Sequence, residues 1–508
     1  MVKDVTMYHY YKPLRNFSKK LDLNTSLIQV WEVFQNIVND RPLPYQFHIL
    51  GNGSPSVKGK SFPWELDILV KEIIMHAGTV CDKNLFVISD FVCAFNLVKN
   101  IPDALIGMRP QERILREITR IYSQQSTWKS GKELQTLARY LRIYSYPDLH
   151  EVLLKATGMS IKHHMLMGAA ITGHLLGSYW YSPLQSFEAF GISNQMRDSF
   201  WNRVSSNVND LREAVRKEQK YDDDWAYTFN PLMEKPFIRG LTRDPHMAVC
   251  PIPSYLLQRI TEGLFFDIKS VNGFGNSYGA AFEHYVKGIT EQLSGEMRFK
   301  IIEGAEYKIG KDKKHGVDLI LEGTDIAILI ECKTKKMVWD ARYGYGEESL
   351  ISEIEKLAKF VVQNYKNLID VVNGNANWKC LGRNLYPMVV TLGDFVMMDP
   401  VIIARFESEI LEKLSIEGLP PEIQFEYPYL VVSIEEYEKL IQILDLVGFD
   451  EFFGKFKASN IKGWEVTRFL HEIYSVEMST CINDYLRQDL LDLKTDQVFY
   501  ESDRPATK

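Results

Sequence analysis

Apolar residues recur at spacings of three and four through "SLIQVWEVFQNIV", "ELDILVKEIIMHAG", "RILREITRIYSQ" and "VNDLREAVRKEQ", the one-sided periodicity of amphipathic helices. Residues 1–223 are therefore expected as a mainly helical domain, without internal repeat or low-complexity tract. Between 224 and 269 the texture changes. Prolines at 231, 236, 245, 251 and 253 fix φ and remove backbone donors, which predicts an extended connector. After residue 270 the two periods alternate. "NSYGAAFEHYVKGITEQL" reads as a helix, while "RFKIIEGAEYKI", "VDLILEG" and "IAILIECK" read as strands. A long helix over about 347–371, the strand "YPMVVTLGD", a helix over 401–414 and the strand "YLVVSI" follow. The order αβββαβ over 270–435 predicts a mixed central sheet flanked by helices. Residues 436–508 return to a helical pattern, a C-terminal extension.

Composition adds limits rather than identity. The chain has 508 residues, 45% hydrophobic and 25% charged, enough to bury large cores. Its net charge of −7 does not by itself announce a nucleic-acid partner. The six cysteines (Cys81, Cys93, Cys250, Cys332, Cys380, Cys481) form no CxxC pair, which argues against a zinc ribbon or disulfide framework and for a reducing, cytoplasmic setting. No apolar signal-peptide core opens the chain. The most apolar stretch, 165–181, carries His174 and is shorter than the roughly 20 residues a membrane span needs, so a buried helix is expected and no membrane partner. His163, His164 and His174 are read as packed or capping side chains.

Local charge changes the picture more. Residues 109–142 hold eight basic side chains against three acidic, with Tyr122, Trp128 and Tyr140 interleaved. Arg113, Arg116, Arg120, Arg139 and Arg142 are candidates for a nucleic-acid-binding face, against the plainer reading of a solvated helix surface. Residues 405–455 reverse the balance, with twelve acidic against four basic, so a basic and an acidic side are expected. "GNGSPSVKGKS" (51–61) imitates a phosphate-binding loop, but Gly53 and Gly59 are separated by five residues rather than four and Pro55 removes a donor. No ATP site is expected there.

The densest chemistry lies in "VDLILEGTDIAILIECK". Alternation along a strand puts Glu331 and Lys333 on one face, with Cys332 on the other. Asp318 opens the preceding strand, and the short turn at Gly323–Thr324 would bring it beside Glu331. Two adjacent carboxylates repel unless a hard cation neutralises them, and Mg²⁺ suits few carboxylates plus water and phosphate oxygens, with Mn²⁺ as a substitute. The main-chain carbonyl of Cys332 is a further candidate ligand. The Lys333 ammonium could hold water or stabilise charge developing on a phosphorane. Lys308, Lys311, Lys313 and Lys314 suggest a basic hairpin nearby, and Lys335 and Lys336 are further phosphate-facing candidates.

Asp318, twelve intervening residues and Glu331-Cys332-Lys333 resemble the PD-(D/E)XK nuclease superfamily, over residues 270–435. The resemblance implies the αβββαβ nuclease core. It also implies metal-dependent phosphodiester hydrolysis, with Asp318 and Glu331 as metal ligands, Lys333 as the catalytic cation and Glu283 of "GAAFEHYV" as an assisting acid on the first core helix. Val317 stands where that family often has proline. Gln363 and Tyr365 are too close to match the QxxxY spacing of its RecB-like branch. The expected function is a Mg²⁺-dependent DNA endonuclease in bacterial restriction or anti-phage defence. The helical half would supply substrate binding, assembly or regulation. A homodimer, or a protein partner in a multi-component system, would fit a single-strand-cutting site. Alternatives are an RNA or structure-specific nuclease, and a nucleic-acid-binding scaffold whose nuclease-like domain is silent.

Overall fold

The computed structural model describes residues 2–44, 56–79, 82–107, 113–128, 133–242, 244, 246–295, 298–482, 485–491 and 493. Gly53 and Pro55 of the loop-like motif, Cys81, and Arg109, Lys129 and Lys132 of the basic segment lie outside the described residues. The chain divides into two units, Met1–Phe274 with Leu486–Lys508, and Gly275–Tyr485.

Among the described residues the first unit opens with eight helices: α1 (Val2–Ser18), α2 (Leu23–Asn39), α3 (Pro63–His76), α4 (Ile88–Gly107), α5 (Ile114–Ser126), α6 (Glu133–Tyr144), α7 (Pro147–Thr157) and α8 (Ile161–Leu175). Helix α2 starts where the Asp22 side chain accepts from the Thr25 N–H at 2.8 Å, satisfying one of the donors a helix start leaves open. Its Trp31 and Gln35 both donate to the Leu175 carbonyl, at 3.0 and 3.1 Å, so α2 covers the end of α8. Helix α8 covers the first part of the apolar stretch 165–181, with Met165, Met167 and Ile171 fully buried, whereas the end of that stretch is not helical and supplies a short strand at Trp180–Tyr181. Among the described residues no helix is long and apolar enough to cross a membrane.

Residues 224–269 correct the expected extended connector. After β1 (Trp180–Tyr181), α9 (Asn194–Val204), β2 (Ser205–Asn207) and α10 (Val208–Glu218), the segment supplies β3 (Phe237–Arg239), β4 (Ala248–Val249), α11 (Ser254–Ile260) and α12 (Leu264–Ile268). These strands form a sheet ordered β1-β4-β3-β2. Pro231 lies in a short turn, Pro236 directly precedes β3, and Pro251 and Pro253 lie between β4 and α11, outside the ladders; Pro245 lies outside the described residues.

The basic segment is also corrected. Arg116, Arg120 and Arg139 are 1%, 0% and 4% exposed, so none is presented to a nucleic-acid backbone. Arg120 donates to Glu117 at 3.0 Å and Asp224 at 2.7 Å and lies 4.0 Å over the Tyr227 ring. The Tyr227 hydroxyl closes the network on Glu117 at 2.7 Å. Arg142 pairs both oxygens of Asp489 at 2.8 and 2.9 Å, and Arg113 is half-buried. Burying charge in this way requires such pairing, because an unpaired ion in a low-dielectric interior is heavily penalised. Helix α5 turns Ile114, Leu115 and Ile118 outward instead. The acidic segment 405–455 is likewise not a uniform acidic side, since Glu409, Glu438 and Asp445 are buried.

The second unit carries α13 (Phe274–Leu293), β5 (Lys300–Glu303), β6 (Tyr307–Ile309), β7 (Asp312–Lys314), β8 (Leu319–Glu322), β9 (Ile326–Lys333), α14 (Trp339–Tyr343), α15 (Glu348–Val372), β10 (Asn384–Thr391), α16 (Pro400–Ile416), α17 (Ile423–Glu426), β11 (Leu430–Ser433), α18 (Ile434–Val447), α19 (Phe449–Ala458) and α20 (Val466–Ile473). Its main sheet runs β11-β10-β9-β8-β5. Strands β5, β8 and β9 are antiparallel neighbours, whereas β10 and β11 join β9 in parallel. The helical region followed by a mixed α/β sheet matches the expected fold class at this level. The expected C-terminal extension 436–508 is divided: the helices from Ile434 to Thr480 belong to the same unit as the sheet, whereas Leu486–Lys508 belongs to the first unit.

Strand β9 is buried at every position but Lys333, as befits a strand covered on both faces. Ile328, Leu329 and Ile330 are completely buried, each stabilising the unit by roughly 1.5–3 kcal/mol. Helix α15 lays Ile354, Leu357, Val361 and Leu368 on the sheet. Within that apolar stripe, Asn364 donates to the Leu329 and Met388 carbonyls at 2.9 and 3.0 Å. One amide thereby ties the helix to both β9 and β10.

Candidate active site

The antiparallel register sets Leu319 against Ile330, and the next step of the ladder puts Asp318 opposite Glu331. The Asp318 N–H donates to the Ile330 carbonyl at 2.9 Å, which fixes that step. The link between the strands is tight. Gly323 donates to the Ile326 carbonyl at 2.9 Å, and a Cβ there would meet that oxygen at 3.0 Å and the Phe449 ring at 2.9 Å. Pairing across so short a link leaves no room for slippage, and a one-residue slip would send Asp318 to the opposite face.

The side-chain oxygen of Asp318 accepts the Cys332 N–H at 2.6 Å. The observed Cys332 contact is therefore its main-chain donor. Its thiol is buried, and burial together with the surrounding carboxylates pushes it well above its ordinary range, so sulfur stays protonated and is a poor metal ligand. Glu331, 3% exposed, receives the Lys333 ammonium at 2.5 Å and the Gln363 amide at 2.8 Å on one oxygen. The Asn367 amide approaches the other at 3.5 Å. Lys333 also lies 5.5 Å from the centre of the Phe360 ring.

Electrostatics show how crowded this end of the sheet is. Burial, then the charge of Glu331, raises the Asp318 carboxyl above its ordinary range, against the Cys332 hydrogen bond and Lys333. Glu331 is raised too, by burial first, with Lys333 opposing and Glu283 adding to the rise. Glu283 on α13 keeps solvent access. Partial desolvation of its carboxyl, with the Asp318 charge added and Lys333 opposing, still raises it. Asp318, Glu331 and Lys333 thus meet at this end of the sheet, and Glu283 on α13 is near enough to feel the Asp318 and Glu331 charges, so the carboxylates carry more negative charge than one ammonium offsets.

The remaining candidates divide. Lys335 is committed to the buried Glu353 carboxylate, at 3.0 and 2.7 Å from its two oxygens, and Lys336 is half-buried. Lys311, Lys313 and Lys314 are exposed on the β6–β7 hairpin, as expected. Gln363 and Asn367 were not assigned to the site from sequence. They sit one helical turn apart on α15, and the signal was polar residues at i and i+4 within an apolar stripe. Tyr365 is not their partner, because its hydroxyl donates to the Tyr427 carbonyl at 2.9 Å.

The donor set is hard oxygen, from the buried Glu331 and the half-buried Asp318, which suits Mg²⁺ or Mn²⁺ completed by water and phosphate oxygens. Among the described residues no three His, Cys, Asp or Glu side chains converge as a ready-made metal cage. No family model, no curated protein and no solved structure matches the chain.

Proposed function

We propose that the chain is a divalent-metal-dependent nuclease of the PD-(D/E)XK type that hydrolyses DNA phosphodiester bonds. The observation that carries this reading is the meeting of Asp318, Glu331 and Lys333 at one end of a three-stranded antiparallel ladder. The element order α13-β5-β8-β9-α15-β10, with the hairpin β6–β7 inserted after β5 and the short α14 before α15, supports it because it is compatible with the expected αβββαβ order.

In this reading Asp318 and Glu331 hold the metal. A divalent ion there would polarise a phosphoryl oxygen and make bound water a better nucleophile. Lys333 carries the fixed positive charge that meets developing negative charge on the phosphorane oxygens. Gln363 and Asn367 hold the Glu331 carboxylate in one orientation, as outer partners of metal ligands do. Glu283 adds a third carboxylate at the rim, able to bind a water hydrogen.

A second reading has one observation in its favour. Glu331 already receives Lys333, Gln363 and Asn367, and Asp318 receives the Cys332 N–H. Carboxylates satisfied by the protein itself fit a nuclease-like domain that binds nucleic acid without cutting it. The deciding experiment is cleavage of supercoiled, linear and single-stranded DNA and of RNA, with Mg²⁺, Mn²⁺ or EDTA. It is run beside Asp318→Ala and Lys333→Ala. Metal-dependent cutting lost in both variants supports the enzyme, and RNA preference would replace DNA as substrate. Equal cutting by wild type and Lys333→Ala would refute the assignment of this site.

A further inference from the structure

The hairpin β6–β7 is inserted in the chain between the paired strands β5 and β8, at the end of the sheet where the candidate site lies. Strand β5 pairs antiparallel with β8 so that Glu303 faces Leu319. The chain therefore leaves the sheet next to Asp318, makes the hairpin, and returns at Asp318. The two stems of this excursion touch. Gly304 donates to the Asp318 carbonyl at 3.1 Å, a Cβ on Gly304 would overlap the Val317 carbonyl, and one on Gly316 would meet the Ala305 carbonyl at 2.8 Å.

The root is also tied to the body of the unit. The Tyr307 hydroxyl donates to Asp370 of α15 at 2.6 Å, and the Asn377 amide donates to the Glu306 carbonyl at 2.9 Å. Tyr307 and Ile309, on one face of the hairpin, pack into the core beneath it. The turn has two residues, with Gly310 at φ +62° in its first central position, where a type II′ turn places glycine. The ribbon is thus short, tightly closed and anchored.

Its lysines are not consumed by the fold. Glu303 pairs with Lys287, and Glu306 is taken by Lys313 at 2.6 Å and His315 at 3.2 Å. Lys308, Lys311 and Lys314 are exposed and make no ion pair among the described residues. Three unpaired ammonium groups on so small a ribbon repel one another and gain nothing from their own fold. Lys308 lies on the outward face, Lys311 in the turn and Lys314 across from Tyr307 at the edge of the inward face, so they flank the ribbon on both sides, and phosphates of the two strands that border a groove would neutralise them. A two-stranded ribbon is an element that the major groove of B-form DNA, about 12 Å wide, admits, whereas the deep, narrow major groove of A-form RNA excludes it.

We propose that the β6–β7 hairpin is a duplex-DNA clamp, in which Lys308, Lys311 and Lys314 contact the phosphate backbone and hold it across the Asp318–Glu331–Lys333 site. The proposal rests on the nuclease reading for its purpose, but its test does not require cleavage. Binding of a short DNA duplex by the full-length protein is measured in EDTA over a range of KCl. The wild type is compared with Lys308/Lys311/Lys314→Ala and with Lys308/Lys311/Lys314→Arg.

Each lost phosphate contact lowers the slope of log affinity against log salt by about 0.9 on duplex DNA. The alanine triple is expected to lose about 2–3 from that slope and at least about tenfold in affinity at low salt, while the arginine triple retains both. Retained duplex binding without cleavage by wild type would sink the nuclease reading and leave the clamp standing. An unchanged slope in the alanine triple, tighter binding of duplex RNA or single strands, or no binding of duplex DNA would overturn the clamp.

Discussion

Replacing Asp318 by Asn tests the electrostatic account of the site most directly. Asn keeps an oxygen that can accept the Cys332 N–H, now bonded at 2.6 Å, so the strand geometry should survive while one charge disappears. That charge opposes Glu331 at a crowded sheet end. Its removal lies between a screened surface pair, worth about 1 kcal/mol, and an uncompensated buried charge, at about 3–5 kcal/mol. A gain of about 2 kcal/mol in metal-free buffer at alkaline pH is therefore expected. For a unit spanning Gly275–Tyr485 this raises the melting temperature by about 4–8 °C.

The gain has a direction in pH. Because the Asp318 carboxyl is raised in the folded chain, the folded state keeps its proton where the unfolded chain has lost it. Wild-type stability from this group is then present below the unfolded carboxylate range, near pH 4, and declines as pH rises through the folded value. The Asn variant has no such proton, so its advantage is smallest near pH 4 and grows toward pH 8. Mg²⁺ should reverse the order at alkaline pH, since a ligand at a hundred times its Kd stabilises wild type by about 2.7 kcal/mol and the Asp318→Asn change weakens that binding. Calorimetric melts with and without Mg²⁺ at both pH values, with hydrogen exchange at the β8 and β9 amides, read all of this. Equal or lower stability of D318N in EDTA at alkaline pH, or a gain of the same size at both pH values, would refute the reasoning.

Lys333→Ala should lower single-turnover cleavage by about 10²–10³ or more, the cost of removing one preorganised positive or donor group, while duplex binding changes little and the melting temperature in metal-free buffer falls, because the buried Glu331 loses the cation it pairs with. Asn364→Ala removes two bonds that hold α15 to Leu329 and Met388. Urea unfolding followed through that unit should show a loss of about 2–4 kcal/mol, with less than about 1 kcal/mol contradicting the role given to this amide. Arg120→Ala removes the buried cation that bridges Glu117 and Asp224, leaving Asp224 with Lys220 at 3.3 Å. It should destabilise the first unit by about 3–5 kcal/mol without changing the salt slope of DNA binding, and a reduced slope would restore this arginine to a binding face. Gly304→Ala forces a Cβ into the Val317 carbonyl, so proteolysis within the hairpin should accelerate beside wild type.

Much of the second unit was legible because its decisive contacts are close in sequence. The apolar run 326–333 reads as a doubly covered strand, and the short link from Glu322 to Ile326 forces β8 and β9 to pair antiparallel. Asp318 and Glu331 could be placed together from spacing alone, and the lysines of 308–314 could be seen as a hairpin. Elsewhere the deciding partner is distant. Arg120 looks like a surface cation until Asp224, 104 residues away, arrives to neutralise it, and local charge counting cannot distinguish a paired buried arginine from a solvated one. The prolines of 224–269 read as a connector because β3 and β4 gain their ladders from β1 and β2, which occur earlier in the chain.

The same limit applied within the site. Gln363 and Asn367 touch Glu331 only because Asn364 and the apolar stripe of α15 set that helix's rotation on the sheet. Sequence by itself determined the order of the main elements in the second unit, the pairing of β8 with β9 and the shared strand face of Glu331 and Lys333, since those follow from backbone period and short loop closure. Tertiary structure alone decided which charges are buried, how the five strands are ordered and which helix face meets the carboxylates, because each depends on groups that only folding brings within a few ångströms.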